Sequence, residues 1–277
     1  MAGLQSNNNF HPWTMLISSL LHEPQAVASH IARQAEQEAE RSQAVWSKLQ
    51  LADRTTAVAM ANAVQWHHEA SLSTYLNHNQ RGILLTTIHG GDYLLALLKL
   101  RRLLSRKRRI LIVRRKAASE QEASVFAHFN DQNGNAAMPV EVVRHSERRP
   151  ITLIRALRAG HIVVALADLP AAYGKVKGYR FLGQQMQLVA GPGELAVLGS
   201  ADVLPFMCCR VGGQSVALPT APIRHTDPDM INQKILDIAS RHITHFPGQW
   251  QHWFHVPAML AQTRHDLTGE SPSGVTP

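Results

Sequence analysis

The chain's most reactive-looking stretch is His89-Gly90-Gly91-Asp92, a histidine and an aspartate three positions apart with two glycines between them. An imidazole that titrates near neutral pH can take a proton from an incoming hydroxyl or amine. A carboxylate beside it can hold the ring in the tautomer this requires. The same Asp92 reads equally as a helix N-cap, a position that favours aspartate, which would leave His89 a loop histidine. The glycines allow a tight turn and leave amide groups exposed near a helix start. Asp168, at the end of another apolar run, is either an acidic residue of the same site or a polar cap. His67, His68 and His225 stand apart from other ligand types, so no metal is expected.

These residues need elements to hold them. Residues 83–88 are β-branched and aliphatic and predict a buried strand, and the spacing of Leu94, Leu95, Leu97 and Leu98 after Asp92 predicts a helix. Open α/β sheets place their sites at the carboxyl end of such a strand. Strands are expected at 109–114, 140–143, 161–167 and 203–211, with helices at 92–105, 119–130, 149–159, 191–199 and 228–245. The stretch 179–189 reads as an excursion, and 214–223 as an added strand. Upstream, the Ala-, Gln- and Glu-rich composition predicts two long helices, at 25–49 and 54–75. The fold class is therefore α/β: a mixed, mostly parallel sheet flanked by helices, with an N-terminal helical layer. Residues 1–79 form that layer, residues 80–262 the α/β core of the same compact domain, and residues 263–277 a disordered tail.

Composition narrows the partners. A 45% hydrophobic content supports a real core, and a formal charge of +8 with a pI near 9.9 points to an acidic partner. The basic run Lys99, Arg101, Arg102, Arg106, Lys107, Arg108, Arg109, Arg114, Arg115 and Lys116 is either a solvated helix end or a docking face for an acidic carrier protein or a pantetheine phosphate. Nucleic acid is not expected, because no aromatic residue interleaves with these cations and no nucleic-acid-binding motif is present. Cys208 and Cys209 are adjacent and have no other partner, which suggests inert thiols in a reducing, cytoplasmic setting. No segment approaches the roughly 18 uninterrupted apolar residues that cross a bilayer, so at most peripheral membrane contact is expected.

Four segments, in order, resemble a known family. TTIHGGDYLLALL resembles the catalytic block of the lysophospholipid acyltransferase superfamily, nearest to its lipid A biosynthesis (late) acyltransferases. Ile112-Val113-Arg114-Arg115 is similar to that family's arginine-bearing strand. Ala156 to Gly174 (ALRAGHIVVALADLPAAYG) is similar to its acidic strand-end segment. Phe181-Leu182-Gly183 with Gly193 to Phe206 (GELAVLGSADVLPF) is similar to a later block. The aromatic stretch Trp250 to His255 resembles the family's closing segment and reads as a closing piece of core.

The resemblance implies acyl transfer to a hydroxyl or amine in lipid or specialised-metabolite biosynthesis. It implies no bound cofactor: the donor is a thioester, on the phosphopantetheine of an acyl carrier protein or on coenzyme A. The acceptor is a small molecule or is itself carrier-bound. His89 becomes the general base with Asp92 as its partner, and Gly90, Gly91, Arg114, Arg115 and Asp168 bind substrate. Arg106, Lys107, Arg108 and Arg109 dock the carrier. The chain departs from the family at Leu94, where the family has its carboxylate, so Asp92 must substitute. It departs again at Glu194, where the family has arginine, and in lacking an N-terminal membrane helix. A soluble relative follows from these departures. The alternatives are a non-catalytic binder of an acidic carrier on the same fold, or a thioester hydrolase.

Overall fold

The computed structural model describes residues 11–104, 108–114, 119–130, 140–144 and 150–260. The tail expected at 263–277 lies outside the described residues. Helices Thr14–Leu21 (α1) and Gln25–Leu51 (α2) open the chain. The polar α2 buries a narrow stripe, with Ala28, Ile31, Ala32 and Ala35 turned inward at helical spacing.

Then come Arg54–Asn62 (α3), the short strand Gln65–Trp66 (β1), Glu69–His78 (α4), Ile83–Thr87 (β2) and Tyr93–Leu103 (α5). Ile110–Arg114 (β3), Glu120–Asn130 (α6), Val140–Arg144 (β4), Pro150–Arg158 (α7) and Ile162–Leu166 (β5) continue the alternation. A hairpin, Val176–Phe181 (β6) and Gln184–Val189 (β7), stands apart as its own two-stranded sheet. Gly191–Leu198 (α8), Asp202–Val211 (β8), Gln214–Pro219 (β9) and Pro228–His245 (α9) complete the core.

The main sheet has seven strands in the order β4-β3-β5-β2-β8-β9-β1. Every pairing is parallel except β8 with β9. That reversal comes from Gly212-Gly213, whose φ values of 57° and 81° suit a two-residue hairpin turn. The expected α/β architecture is thus observed.

Side chains of the central strands alternate between two cores, as period-two geometry demands. Ile83, Leu85, Ile110, Ile112, Ile162, Val164, Leu204 and Phe206 face α3, α4 and α5. Leu84, Leu111, Val163, Ala165 and Val203 face α7, α8 and α9. Being covered on both faces, β2 is buried at every position rather than at alternate ones. A third core joins α1, α2 and α9 to the hairpin and to Trp250 and Trp253.

The helix expected at 54–75 is interrupted. Trp66 leaves the helical path to pack on Phe206 at 5.0 Å, and its indole N–H donates to the Ala96 carbonyl at 3.3 Å. β1 pairs with β9, and His68 turns the chain back through a left-handed conformation (φ 53°). Burying the indole against the sheet outweighs a few residues of helical hydrogen bonding.

Candidate functional site

The site grows out of strand register. Thr87 on β2 stands opposite Leu166 on β5. Continuing two residues past each strand end brings His89 and Asp168 side by side at the carboxyl edge. The Ala167 amide donates to the Thr87 carbonyl at 2.9 Å, and the His89 amide donates to the Asp168 carboxylate at 2.9 Å. His89 Nδ1 lies 2.9 Å from the other carboxylate oxygen, and Trp250 Nε1 donates to the first at 2.9 Å.

Asp168 is fully buried. Burial by itself would raise its carboxyl. The facing His89 and His252 rings and the N–H donors of His89 and Trp250 outweigh burial and hold it well below the usual carboxylate range. An ionised carboxylate only accepts, so His89 carries its proton on Nδ1, and in the neutral ring Nε2 keeps a free lone pair. With 19% of its side chain exposed, His89 can meet a ligand.

The C-terminal segment completes the surroundings. The Gln251 amide donates to the His89 carbonyl at 2.9 Å, and Gly90 forms an antiparallel bridge with Trp250. The His252 ring stacks on His89 with centroids 3.7 Å apart and planes 21° from parallel. Its Nδ1 sits 3.2 Å from the Asp168 carbonyl, and burial lowers its pKa to about 4, so it is neutral at pH 7. Tyr93 presents its ring at 75° to His89 with centroids 5.7 Å apart, and burial raises its phenol to about 12. Trp250 and His252, read from sequence as a closing piece of core, are therefore in contact with the Asp168–His89 pair. The histidines set among the aromatics of WQHWFH were the available signal.

Gly90 and Gly91 lie between β2 and α5. Gly91 adopts φ 53°, and a Cβ there would come 2.7 Å from the Cys208 carbonyl. Cys208 and Cys209 are buried in β8, where burial raises both thiols.

The expected His89–Asp92 pair is not formed. Residues three apart share a face only within a helix, and here α5 begins after Asp92. Asp92 makes no side-chain capping bond either. It accepts from Arg41 Nη2 at 2.8 Å and from the Ser215 hydroxyl. Arg41 also grips Glu38 with two bonds of 2.9 and 2.6 Å, and Arg210 approaches Glu38 at 3.6 Å. This network joins α2 to the loop and borders a polar cleft of about 470 Å³ lined by Gln34, Gln37, Arg41, Arg210, His245 and Gln249.

The basic run divides between the two edges of the sheet. Arg114, at the carboxyl end of β3, pairs with Glu122 at 2.7 Å. Arg108 and Arg109 precede β3, at the edge opposite His89. Arg108 is buried and donates to the Asn79 and Arg81 carbonyls, and Arg109 pairs with Glu141. Two of the four expected docking residues, Arg108 and Arg109, thus bind within the fold. Arg106, Lys107 and Arg115 lie outside the described residues.

Donor atoms of His89, Asp168 and His252 lie within 4.8 Å of one another. The set does not suit a metal. Near-parallel rings do not aim their lone pairs at one point, and both Nδ1 atoms are engaged with Asp168.

A histidine and a buried aspartate at adjacent carboxyl ends of a mostly parallel sheet define the class: an α/β protein with a strand-end His–Asp centre. The family model of the bacterial lipid A biosynthesis acyltransferases matches residues 35–256, and the chain belongs to that family. Membership assigns acyltransferase activity in general. No curated protein matches the chain. Among the described residues, no helix is long and apolar enough to cross a membrane.

Proposed function

We propose that the protein moves an acyl group from a thioester donor, carried by an acyl carrier protein or coenzyme A, to a hydroxyl or amine acceptor. His89 serves as general base. The observation that carries this reading is the bond from His89 Nδ1 to the buried, ionised Asp168, which leaves Nε2 as the basic atom. Nε2 takes the acceptor's proton as its oxygen or nitrogen attacks the thioester carbonyl. The tetrahedral intermediate then collapses, the C–S bond breaks, and the leaving thiolate recovers the proton from Nε2. Asp168 favours the imidazolium formed in between. The amides that begin α5 have no partner inside their helix and suit the developing oxyanion. Arg114, at the carboxyl end of β3, is a cation for donor phosphates.

The test is incubation with acyl carrier protein loaded with an acyl group and with acyl-coenzyme A, with and without pooled hydroxyl and amine acceptors, followed by mass spectrometry. Acceptor-dependent loss of the acyl group is expected, and His89→Ala should lower it by roughly 100-fold or more. Acceptor-independent loss would make the protein a thioester hydrolase. No loss from either donor would overturn the catalytic reading and leave a binding protein.

A further inference from the structure

We propose that His252 is a positioning residue for the transfer, resting on the reading of His89 as base: its ring is the floor on which the His89 imidazole is held through the proton cycle. The carboxylate alone does not fix the base. A single bond from Nδ1 to Asp168 leaves the His89 ring free to tilt about that bond, and each tilt carries Nε2 away from one direction. Two neighbours remove that freedom. His252 covers one face at 3.7 Å, and Tyr93 meets the ring edge-on at 5.7 Å.

His252 is itself fixed. It is 7% exposed, and its Nδ1 lies 3.2 Å from the Asp168 carbonyl and 3.5 Å from the carboxylate. Phe254 and His255 pack edge-on against it, with centroids at 5.4 and 4.7 Å. Both imidazoles thus hang from one residue, Asp168, and their relative placement is set by a single strand end. Its environment keeps His252 neutral, so the ring beneath His89 is an uncharged π face. Such a face attracts a cation, and His89 becomes one on accepting the acceptor's proton.

Two variants separate ring from hydrogen bond. His252→Phe keeps a flat ring and loses the Nδ1 donor; His252→Ala loses both. Wild type and variants are compared by steady-state kinetics with the donor identified above and by ¹³C relaxation NMR of the imidazole rings. In wild type, the His89 ring should be as rigid as the backbone around it. His252→Ala keeps Asp168 and with it the Nδ1–H tautomer, and is expected to lower kcat by about 10- to 100-fold with little change in KM and to lower the order parameter of the His89 ring. His252→Phe should restore the ring's order and most of kcat. Wild-type kcat and an unchanged His89 order parameter in His252→Ala would overturn the proposal. Equal impairment in both variants would also overturn it, because the stacked ring would then not be the acting part. If wild type proves to have no transfer activity, the reading of His89 as base fails, while the comparison of ring order still decides whether His252 holds that ring.

Discussion

Asp168 and Asp92 are both buried carboxylates near His89, and their partners give them different work. Asp168 receives three N–H donors, two of them from His89. Asp168→Asn would place an amide where only an acceptor fits and favour the wrong His89 tautomer. Turnover should fall roughly 100-fold or more with KM nearly unchanged, read by steady-state kinetics. A kcat within a few-fold of wild type would remove Asp168 from the mechanism. Asp92 holds Arg41 and Ser215 instead. Asp92→Ala should keep most of kcat and cost about 1–3 kcal/mol of stability in urea unfolding, because Arg41 and Ser215 each lose one bond while Arg41 keeps Glu38. The residue types made His89 legible from sequence. Asp168 was legible as an acidic residue of the site but not as the partner of His89, because it lies 79 positions away and is reached only through the β2–β5 register.

At the scale of elements, the strand-to-helix turn after β2 is the narrowest part of the design. Gly91 combines a left-handed backbone with a Cβ position occupied by the Cys208 carbonyl. Gly91→Ala should therefore push the loop off β8, lowering the melting temperature and displacing His89, with turnover falling in step. A variant with wild-type melting and turnover would show that the loop has slack the geometry denies. Most elements were readable because glycine, proline or aspartate marks their ends: the helix expected at 228–245 is found as Pro228–His245. The break within 54–75 was hidden, because it depends on Trp66 reaching a strand some 150 residues later. In the same way, the stretch Trp250 to His255 reads as apolar core until its docking against the His89 loop is known.

For the whole molecule, part of the positive charge is used inside the fold, since Arg108 and Arg109 bind within it at the edge of the sheet opposite His89. Histidine burial is more telling. Burial lowers the pKa values of His161, His242, His252 and His255. Each folded-state value lies below its unfolded value of about 6.5, so the unfolded chain binds protons first as pH falls. Stability is therefore fully present above that value and declines as pH drops towards the folded values. For His252, a shift from 6.5 to about 4 corresponds to roughly 2 kcal/mol lost by pH 5, at about 1.4 kcal/mol per pK unit. Asp168 moves the other way: its carboxyl is held low, so its contribution is present above the ordinary carboxylate range and is lost only in stronger acid. The expected result is a urea midpoint that falls steadily between pH 7 and pH 5, with a shallower fall in His252→Phe. A midpoint constant over that range would mean that the imidazoles protonate in place without cost, and that His252 is not the neutral ring its surroundings require.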